Sequence, residues 1–354
     1  MMLKQVVSAA EVAPLKKLFD QARRVVITCH TSPDGDAIGS SLALYEYFVG
    51  RGKQATVIVP NYYPDFLKWM HDSERIVQFD RRRAYSKMLF TQADLLVALD
   101  YNGLSRIDDM AVPFRYTHCK KVMIDHHTAP EHFCDIEISR PEMSSTCELL
   151  FRLFDTMGVM DHVNRHAAED LYAGMCTDTG RFTYNSNNPE IFIIIAQLMR
   201  KGIDKDVIIR NLYNQNTEGR YRLMGYILLE KMQILPDLHV AIHTITRDEL
   251  QRFHYLKGDA EGIVNMPLEI KGMKVSVALR EDTEKQMISI SIRSFDDFPA
   301  NEMAARFFNG GGHPNAAGGR LYCNMEEAMK VTLQAVEAYR DRLADPIPPE
   351  GRGT

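Results

Sequence analysis

The amino-acid sequence predicts an α/β protein of two domains: an N-terminal doubly wound, mostly parallel sheet, joined by helix to a smaller mixed-sheet α/β domain. Three observations carry that prediction. Short apolar runs bounded by Gly, Pro and polar residues alternate with helical patterns through the N-terminal half. Residues 189–233 are almost wholly helix formers. Beyond Pro236 the texture becomes apolar–polar alternation, the period of strands with one buried face.

The first strand is Arg24-Val25-Val26-Ile27-Thr28-Cys29, and the loop 30–36 leads into a helix that opens at Ala37 and is closed by Gly50 to Gly52. A strand follows at 55–59. Two further runs, 94–99 and 121–124, are short and apolar apart from the charged first residue of each, as strands covered on both faces are. Ser144-Ser145-Thr146 with Glu148 caps a helix carrying Leu149, Leu150, Phe151, Leu153 and Phe154, which Gly158 ends. The next helix, 165–176, runs up to a cluster around Asp178. In the second domain, strands are expected at 239–243, 275–279 and 288–292, a hairpin tip at 281–285, and helices at 299–308 and 325–343. The expected organisation is therefore a domain over 1–190, a helical linker over 191–235, a second domain over 236–344 and a flexible tail over 345–354.

The 354 residues are 45% hydrophobic and 25% charged, enough material for two cores. A net charge of −5 argues against long duplex nucleic acid as a partner, which takes many Lys and Arg against phosphates. It leaves room for a short anionic ligand in a local pocket. No apolar run reaches membrane-spanning length and no basic stretch precedes an apolar core at the N-terminus, so no membrane association and a cytoplasmic location are expected. The six cysteines stand singly, the pattern of reduced thiols rather than of a zinc knuckle or disulfide framework.

The chemistry is concentrated in four segments: His30-Thr31-Ser32-Pro33-Asp34-Gly35-Asp36, Asp100, Asp125-His126-His127, and Asp178 between two threonines. Taken singly, each has an ordinary explanation, such as a helix N-terminus, a Ser-Pro-Asp-Gly turn or the end of a strand. Their conjunction does not. All four are expected at strand-to-helix edges, and a parallel sheet gathers such edges on one side. Carboxylates with one or two imidazoles suit Mn²⁺ or Mg²⁺ rather than structural zinc, and a two-metal centre points to phosphoryl transfer. Adjacent histidines face different sides, so one of His126 and His127 can bind metal while the other faces substrate, with Asp125 orienting an imidazole. Cys29 and Cys176 precede their clusters on the apolar side, where burial accounts for them.

A second feature is the run Asn309 to Gly319, with Gly310, Gly311 and Gly312 followed by His313. Three consecutive glycines exceed what a turn requires, and they are read as a loop whose amides form an anion nest, with His313 donating to phosphate. Arg293, at a strand end, is a candidate second phosphate contact. An ordinary surface arginine would look the same. Arg81-Arg82-Arg83 reads as solvated helix surface, and Trp69 and Phe307-Phe308 as packing.

With these motifs in view, the chain resembles the DHH phosphoesterase superfamily, in the subgroup carrying a C-terminal DHHA1 domain, and within it the oligoribonuclease (nanoRNase) and 3′-phosphoadenosine 5′-phosphate (PAP) phosphatase branch. The resemblance spans roughly residues 20–340 with no motif position broken. It implies that His30 and Asp34 hold one metal, that Asp36, His126 and Asp178 hold the other, and that Asp100 bridges them. It implies that His127 faces the scissile phosphate, making His127 and Asp100 the catalytic pair. Gly311, Gly312, His313 and Arg293 would contact substrate. It further implies two Mn²⁺ ions per site, with Mg²⁺ or Co²⁺ as substitutes, a cleft between the domains, and exonuclease action on short oligonucleotides. The open alternatives are a phosphatase for PAP, a soluble phosphodiesterase for cyclic or linear dinucleotides, and a non-catalytic nucleotide-binding sensor. Cleavage polarity, RNA against DNA preference and oligomeric state, a homodimer included, are not written in the pattern.

Overall fold

The computed structural model describes residues 3–214, 216–256, 258–282 and 285–344, which fall into two compact units that divide after Gln215. The first unit runs α1 (Ala9–Gln21), β1 (Arg24–Thr28), α2 (Gly35–Val49), β2 (Gln54–Val59), β3 (Val77–Gln78), α3 (Arg83–Gln92), β4 (Leu95–Leu99), α4 (Ala111–Tyr116), β5 (Lys120–Asp125), β6 (Ile136–Ser139), α5 (Thr146–Thr156), α6 (Arg165–Asp178), α7 (Pro189–Arg200) and α8 (Lys205–Tyr213). Its sheet has the order β3-β2-β1-β4-β5-β6 with every pairing parallel. The order reverses between β1 and β4. That switch point opens a crevice at the carboxyl ends of the strands, where such sheets bind ligands.

Alternation along β1 and β4 feeds two cores. Val25, Ile27, Leu95 and Val97 pack with α1, α2, α5 and α6 on one face, while Val26, Leu96 and Ala98 pack with Phe90 and Phe114 on the other. Burial on both faces is why β4 is apolar at every position and β1 from Val25 to Ile27. The α2 and α6 helices approach closely. A Cβ at Gly174 would lie 2.3 Å from Cys147 Sγ and 2.9 Å from Asp36 Oδ1. No larger residue fits there without moving a helix. Residues 191–213, within the stretch expected to link the domains, send Ile191, Ile194, Leu198, Ile208 and Leu212 into the first unit's core.

The second unit runs α9 (Glu218–Tyr226), β7 (Gln233–Leu235), β8 (Val240–Ile245), α10 (Arg247–Arg252), β9 (Val275–Glu281), β10 (Ile288–Ser294), α11 (Ala300–Phe307), β11 (Gly311–His313), β12 (Ala316–Leu321), α12 (Met325–Ala338) and α13 (Arg340–Ala344). Its sheet has the order β11-β12-β10-β9-β8-β7, with β8 parallel to β9 and the other pairs antiparallel. One face packs against α11 and α12 through Val240, Ile242, Val277, Leu279, Ile290 and Ile292.

Several expectations need correction. The helix-forming stretch 189–233 is divided into α7, α8 and α9, the last two started by the N-caps Asp204 and Thr217, and its end turns into β7. The helix over 325–343 breaks at Tyr339. The strands β3, β6, β7, β11 and β12 and the helix α1 were not expected; the edge strands are too short for alternation to register. The tail 345–354 and the tip residues Thr283 and Glu284 lie outside the described residues. Among those described, no helix is long and apolar enough to cross a membrane.

Candidate metal centre

The strands β1 and β4 meet at the switch point, and the residues that follow them face each other. His30 Nε2 lies 3.4 Å from Asp100 Oδ2 and 3.7 Å from Asp34 Oδ2. Asp34 is the N-cap of α2, its Oδ1 accepting from the amides of Asp36 and Ala37 at 3.1 and 3.0 Å. The capping and the metal-binding readings of this aspartate therefore hold together, one oxygen for each.

Around His126 Nε2 lie Asp178 Oδ2 at 3.2 Å, Asp100 Oδ1 at 3.6 Å and Asp36 Oδ2 at 3.9 Å. Asp36 is the second residue of α2, at the strand-to-helix edge after β1, and Asp178 is the last residue of α6, a helix end and not a strand-to-helix edge. Helix–helix packing, set by the small residue at 174, is what brings them to the sheet edge. Asp100 follows β4 with φ of +64°, a left-handed conformation that a non-glycine residue adopts at a cost, as functional sites tolerate.

The network beneath these groups was not foreseen. The amides of Thr146 and Cys147, at the N-terminus of α5, donate to Asp36 Oδ2 and Oδ1 at 2.6 and 2.9 Å. Thr146 Oγ1 donates to Asp100 Oδ1 at 2.9 Å. The motif Ser144-Ser145-Thr146 was legible as a cap, and Ser145 is the N-cap. That the positive end of this helix is aimed at a buried aspartate depends on tertiary placement.

Each imidazole has its Nδ1 beside an acceptor: Thr31 O at 2.8 Å for His30, Met143 O at 3.2 Å for His126, and Asp125 Oδ1 at 2.7 Å for His127. Carbonyl and carboxylate oxygens cannot donate, so each Nδ1 is assigned a proton, and His30 and His126 turn Nε2 towards the cluster, where its lone pair is free for a cation once any proton there has left.

This donor set fits two divalent cations. No Lys or Arg among the described residues pairs with Asp34, Asp36, Asp100 or Asp178. The facing donors are separated by 3.2–3.9 Å, mostly too long for hydrogen bonds, and match ligands each about 2.0–2.2 Å from a shared ion. The titration behaviour says the same. Burial opposes charge on His30, yet Asp100 and Asp34 raise it to about 10. Asp178, Asp36 and Asp100 likewise raise His126 to about 10 against burial. Burial, reinforced by Asp100 and Asp178, pushes the Asp36 carboxyl up, and burial pushes up Asp178. Burial alone would raise Asp100, but His30, His126 and His127 hold it below the usual carboxylate range. Protons occupy positions where the cluster calls for positive charge. Cys29 and Cys176 are buried, as expected of thiols outside the ligand set.

The other candidate residues form a separate group in the second unit. Arg293 is half-buried on β10, its Nη1 donating to Ile292 O at 2.9 Å, and burial lowers its pKa. The glycine run, expected as a loop, is a hairpin: β11 pairs antiparallel with β12 at Gly311↔Gly318, Gly312↔Ala317 and His313↔Ala316. Packing explains part of it. A Cβ at Gly310 would lie 1.9 Å from Gly318 O, and one at Gly312, where φ is +138°, 2.6 Å from Ala316 O. Gly311 is different, because a Cβ there meets nothing within 4 Å.

A doubly wound sheet with four carboxylates and two imidazoles gathered at its switch point defines a metal-dependent phosphoesterase. The sequence profile of the "DHH family, N-terminal domain" matches residues 24–175 and that of the "DHHA1 domain" matches residues 240–339, and the chain belongs to the DHH family with a C-terminal DHHA1 domain. It is similar to an exopolyphosphatase-related protein of Bacteroides fragilis of known crystal structure, at 50% identity and a TM-score of 0.93, over 97% of this chain and 100% of that one. It is also similar to the bifunctional oligoribonuclease and PAP phosphatase NrnA of Thermus thermophilus, 29% identical over 316 residues, 88% of this chain and 89% of the relative. The cyclic-di-AMP phosphodiesterase PdeA of Listeria monocytogenes is 26% identical over 335 residues, 92% of this chain but 49% of the relative.

Proposed function

We propose that this protein is a Mn²⁺-dependent phosphodiesterase that degrades short oligonucleotides to mononucleotides and also removes phosphate from PAP. The observation that carries the reading is the double engagement of Asp100. Its Oδ2 faces the imidazole of His30 and its Oδ1 that of His126, the disposition of a carboxylate shared by two ions. His30 and Asp34 would complete one ion's ligands and Asp36, His126 and Asp178 the other's. An oxygen-rich set with one imidazole for each ion favours Mn²⁺, with Mg²⁺ or Co²⁺ as substitutes.

When bound, two such cations supply Lewis-acid stabilisation of phosphoryl charge and an activated water. The chain supplies position. His127, fixed through Nδ1 by Asp125, presents Nε2 to a phosphoryl oxygen. Thr146 holds Asp100 in its strained conformation. Arg293, Gly311, Gly312 and His313 would hold a second phosphate by charge and by the unpaired outer edge of β11. In this reading residues 1–190 form the metal-bearing domain, 191–235 the helical connection and 236–344 the substrate-binding domain. The expected setting is cytoplasmic, with small nucleotides rather than long duplexes as partners.

The deciding experiment is a Mn²⁺-dependent time course on end-labelled RNA of two to ten nucleotides alongside PAP. Fast mononucleotide release from the shortest oligomers establishes the oligoribonuclease. Phosphate release from PAP alone makes it a phosphatase. Turnover of neither, with cleavage of a cyclic or linear dinucleotide, moves it to the activity in the name of the Listeria relative. Binding without any turnover would identify a sensor and end the reading.

A further inference from the structure

The short strand β3 leaves part of the first unit's sheet edge uncovered. It pairs only with Ile58 and Val59, so among the described residues the outer edge of β2 before them has no neighbouring strand. Helices flank that edge on both faces: Leu42 of α2 packs with Val57 and Val59, and Phe90 of α3 with Ile58 and Val77. Against the open edge lies a cavity of about 500 Å³ lined by Leu42 and Tyr45 of α2, by Thr56 and Val57 of β2, and by Arg81, Arg82 and Tyr85 around the start of α3. A volume of that order holds a small molecule. The cavity is apart from the metal centre. None of the residues gathered there lines it, and along α2 Tyr45 lies roughly 13 Å from Asp36 at the rise of an α-helix.

Its charges are unevenly paired. Arg75, on the wall before β3, is neutralised by Asp72 at 3.0 Å and Glu74 at 3.9 Å, and Tyr45 donates to the same Asp72. The run Arg81-Arg82-Arg83, read from sequence as solvated helix surface, divides in two. Arg83 opens α3, does not line the cavity and pairs with Asp109 at 2.6 Å. Arg81 and Arg82 precede the helix, line the cavity, and have no side-chain partner among the described residues. Beside them α3 begins with no side-chain cap and no acid in its first turn, which leaves its amide donors uncompensated. Guanidinium groups that no carboxylate has claimed suit a phosphate. The remaining wall is apolar, and Tyr85 leaves a ring 46% exposed next to the two arginines.

We propose that this cavity binds a small phosphate monoester with a ring-bearing body, its phosphate on Arg81 and Arg82 and its ring against Tyr85. The class includes the mononucleotides that the proposed activity would release. The site itself does not depend on that activity.

The test is calorimetric titration of the full-length protein with Mn²⁺, using adenosine 5′-monophosphate, ribose 5-phosphate and inorganic phosphate. Wild type is compared with an Arg81→Ala/Arg82→Ala double variant, Tyr85→Ala and Arg293→Ala. Wild type should show a nucleotide-binding event that survives Arg293→Ala and is weakened about 10-fold or more in the double variant, the worth of one charge-assisted hydrogen bond. Tyr85→Ala should weaken the nucleotide about 10-fold, as loss of a stacked ring does, and leave inorganic phosphate unchanged. All three side chains are exposed, so these variants should melt with wild type. Equal binding of the nucleotide and ribose 5-phosphate, both weakened in the double variant, would make the ligand a sugar phosphate and keep the site. Undiminished nucleotide binding by the double variant, or inorganic phosphate bound as tightly as the nucleotide, would overturn it. Binding is read without turnover: a protein that binds the nucleotide here and cleaves no phosphoester ends the catalytic reading alone, and RNA cleavage with no such event ends this inference alone.

Discussion

Asp125 grips His127 twice, taking its Nδ1 on Oδ1 at 2.7 Å and its backbone amide on Oδ2 at 3.1 Å. The carboxylate is fully buried, and it fixes both the ring orientation and the tautomer of the one histidine in the cluster whose Nδ1, not its Nε2, faces Asp100. Asp125→Asn should lower kcat by about 10–100-fold, the usual cost of losing a partner behind the reacting shell, with metal content unchanged. Elemental analysis beside steady-state kinetics reads both numbers. Loss of metal in step with activity would make Asp125 part of the ion-binding set.

Asp100→Asn should abolish turnover, a larger loss than the roughly 10–100-fold expected when a partner behind a ligand is removed, while the protein stays folded. The amide retains a carbonyl oxygen for Thr146 Oγ1 but removes the charge shared by the two ion positions. Near-normal turnover with saturating Mn²⁺ would remove Asp100 from the centre.

Metal binding should be linked to pH. His30 and His126, each raised to about 10 in the ion-free protein, must give up protons when a cation arrives. Apparent affinity for Mn²⁺ therefore rises with pH across the neutral range and falls on acidification. Titration calorimetry in two buffers of different ionisation enthalpy measures the protons released; affinity that stays flat from about pH 6 to about pH 8 contradicts the site.

The glycines at 310 and 311 should behave in opposite ways. Gly310→Ala drives a Cβ into Gly318 O and should cost about 1–3 kcal/mol of stability, as overpacking does. Gly311→Ala has room, so it should melt normally and raise KM. Arg293→Ala should also raise KM while leaving Mn²⁺ affinity unchanged. Equal melting shifts for the two glycine variants would place Gly311 in the hairpin's packing instead of at a ligand.

Burial lowers His243 to about 4, below its unfolded value of about 6.5. The unfolded chain then binds the extra proton between those values, so this residue's contribution is present above about pH 6.5 and is lost as pH falls towards 4. The full loss is about 3 kcal/mol by the difference in pKa. Acid unfolding of His243→Leu should lack that component, and parallel acid profiles for variant and wild type would show that His243 is not buried uncharged.

Much of this protein could be read from its residues in order. The buried strands β1, β4 and β5 announced themselves because burial on both faces makes their runs 25–27, 95–99 and 122–124 apolar, and Asp100 and Asp125-His126-His127 come directly after two of those runs. Local pattern also fixed the caps at Asp34 and Ser145, since capping is a matter of a few neighbouring residues. The short strands were invisible because two or three residues carry no period.

By itself, then, the sequence determined the fold class, the ligand types and the strand ends that carry His30, Asp100 and His126. Only the tertiary structure decided that Asp36 and Asp178 meet beside His126 from two helices, that α5 aims its amides at Asp36, and that the glycine run is an edge hairpin and not a loop. The division has a physical cause. Hydrophobic period and capping depend on neighbours along the chain, whereas helix approach at Gly174 and cross-strand register at Gly318 depend on contacts between residues far apart in it.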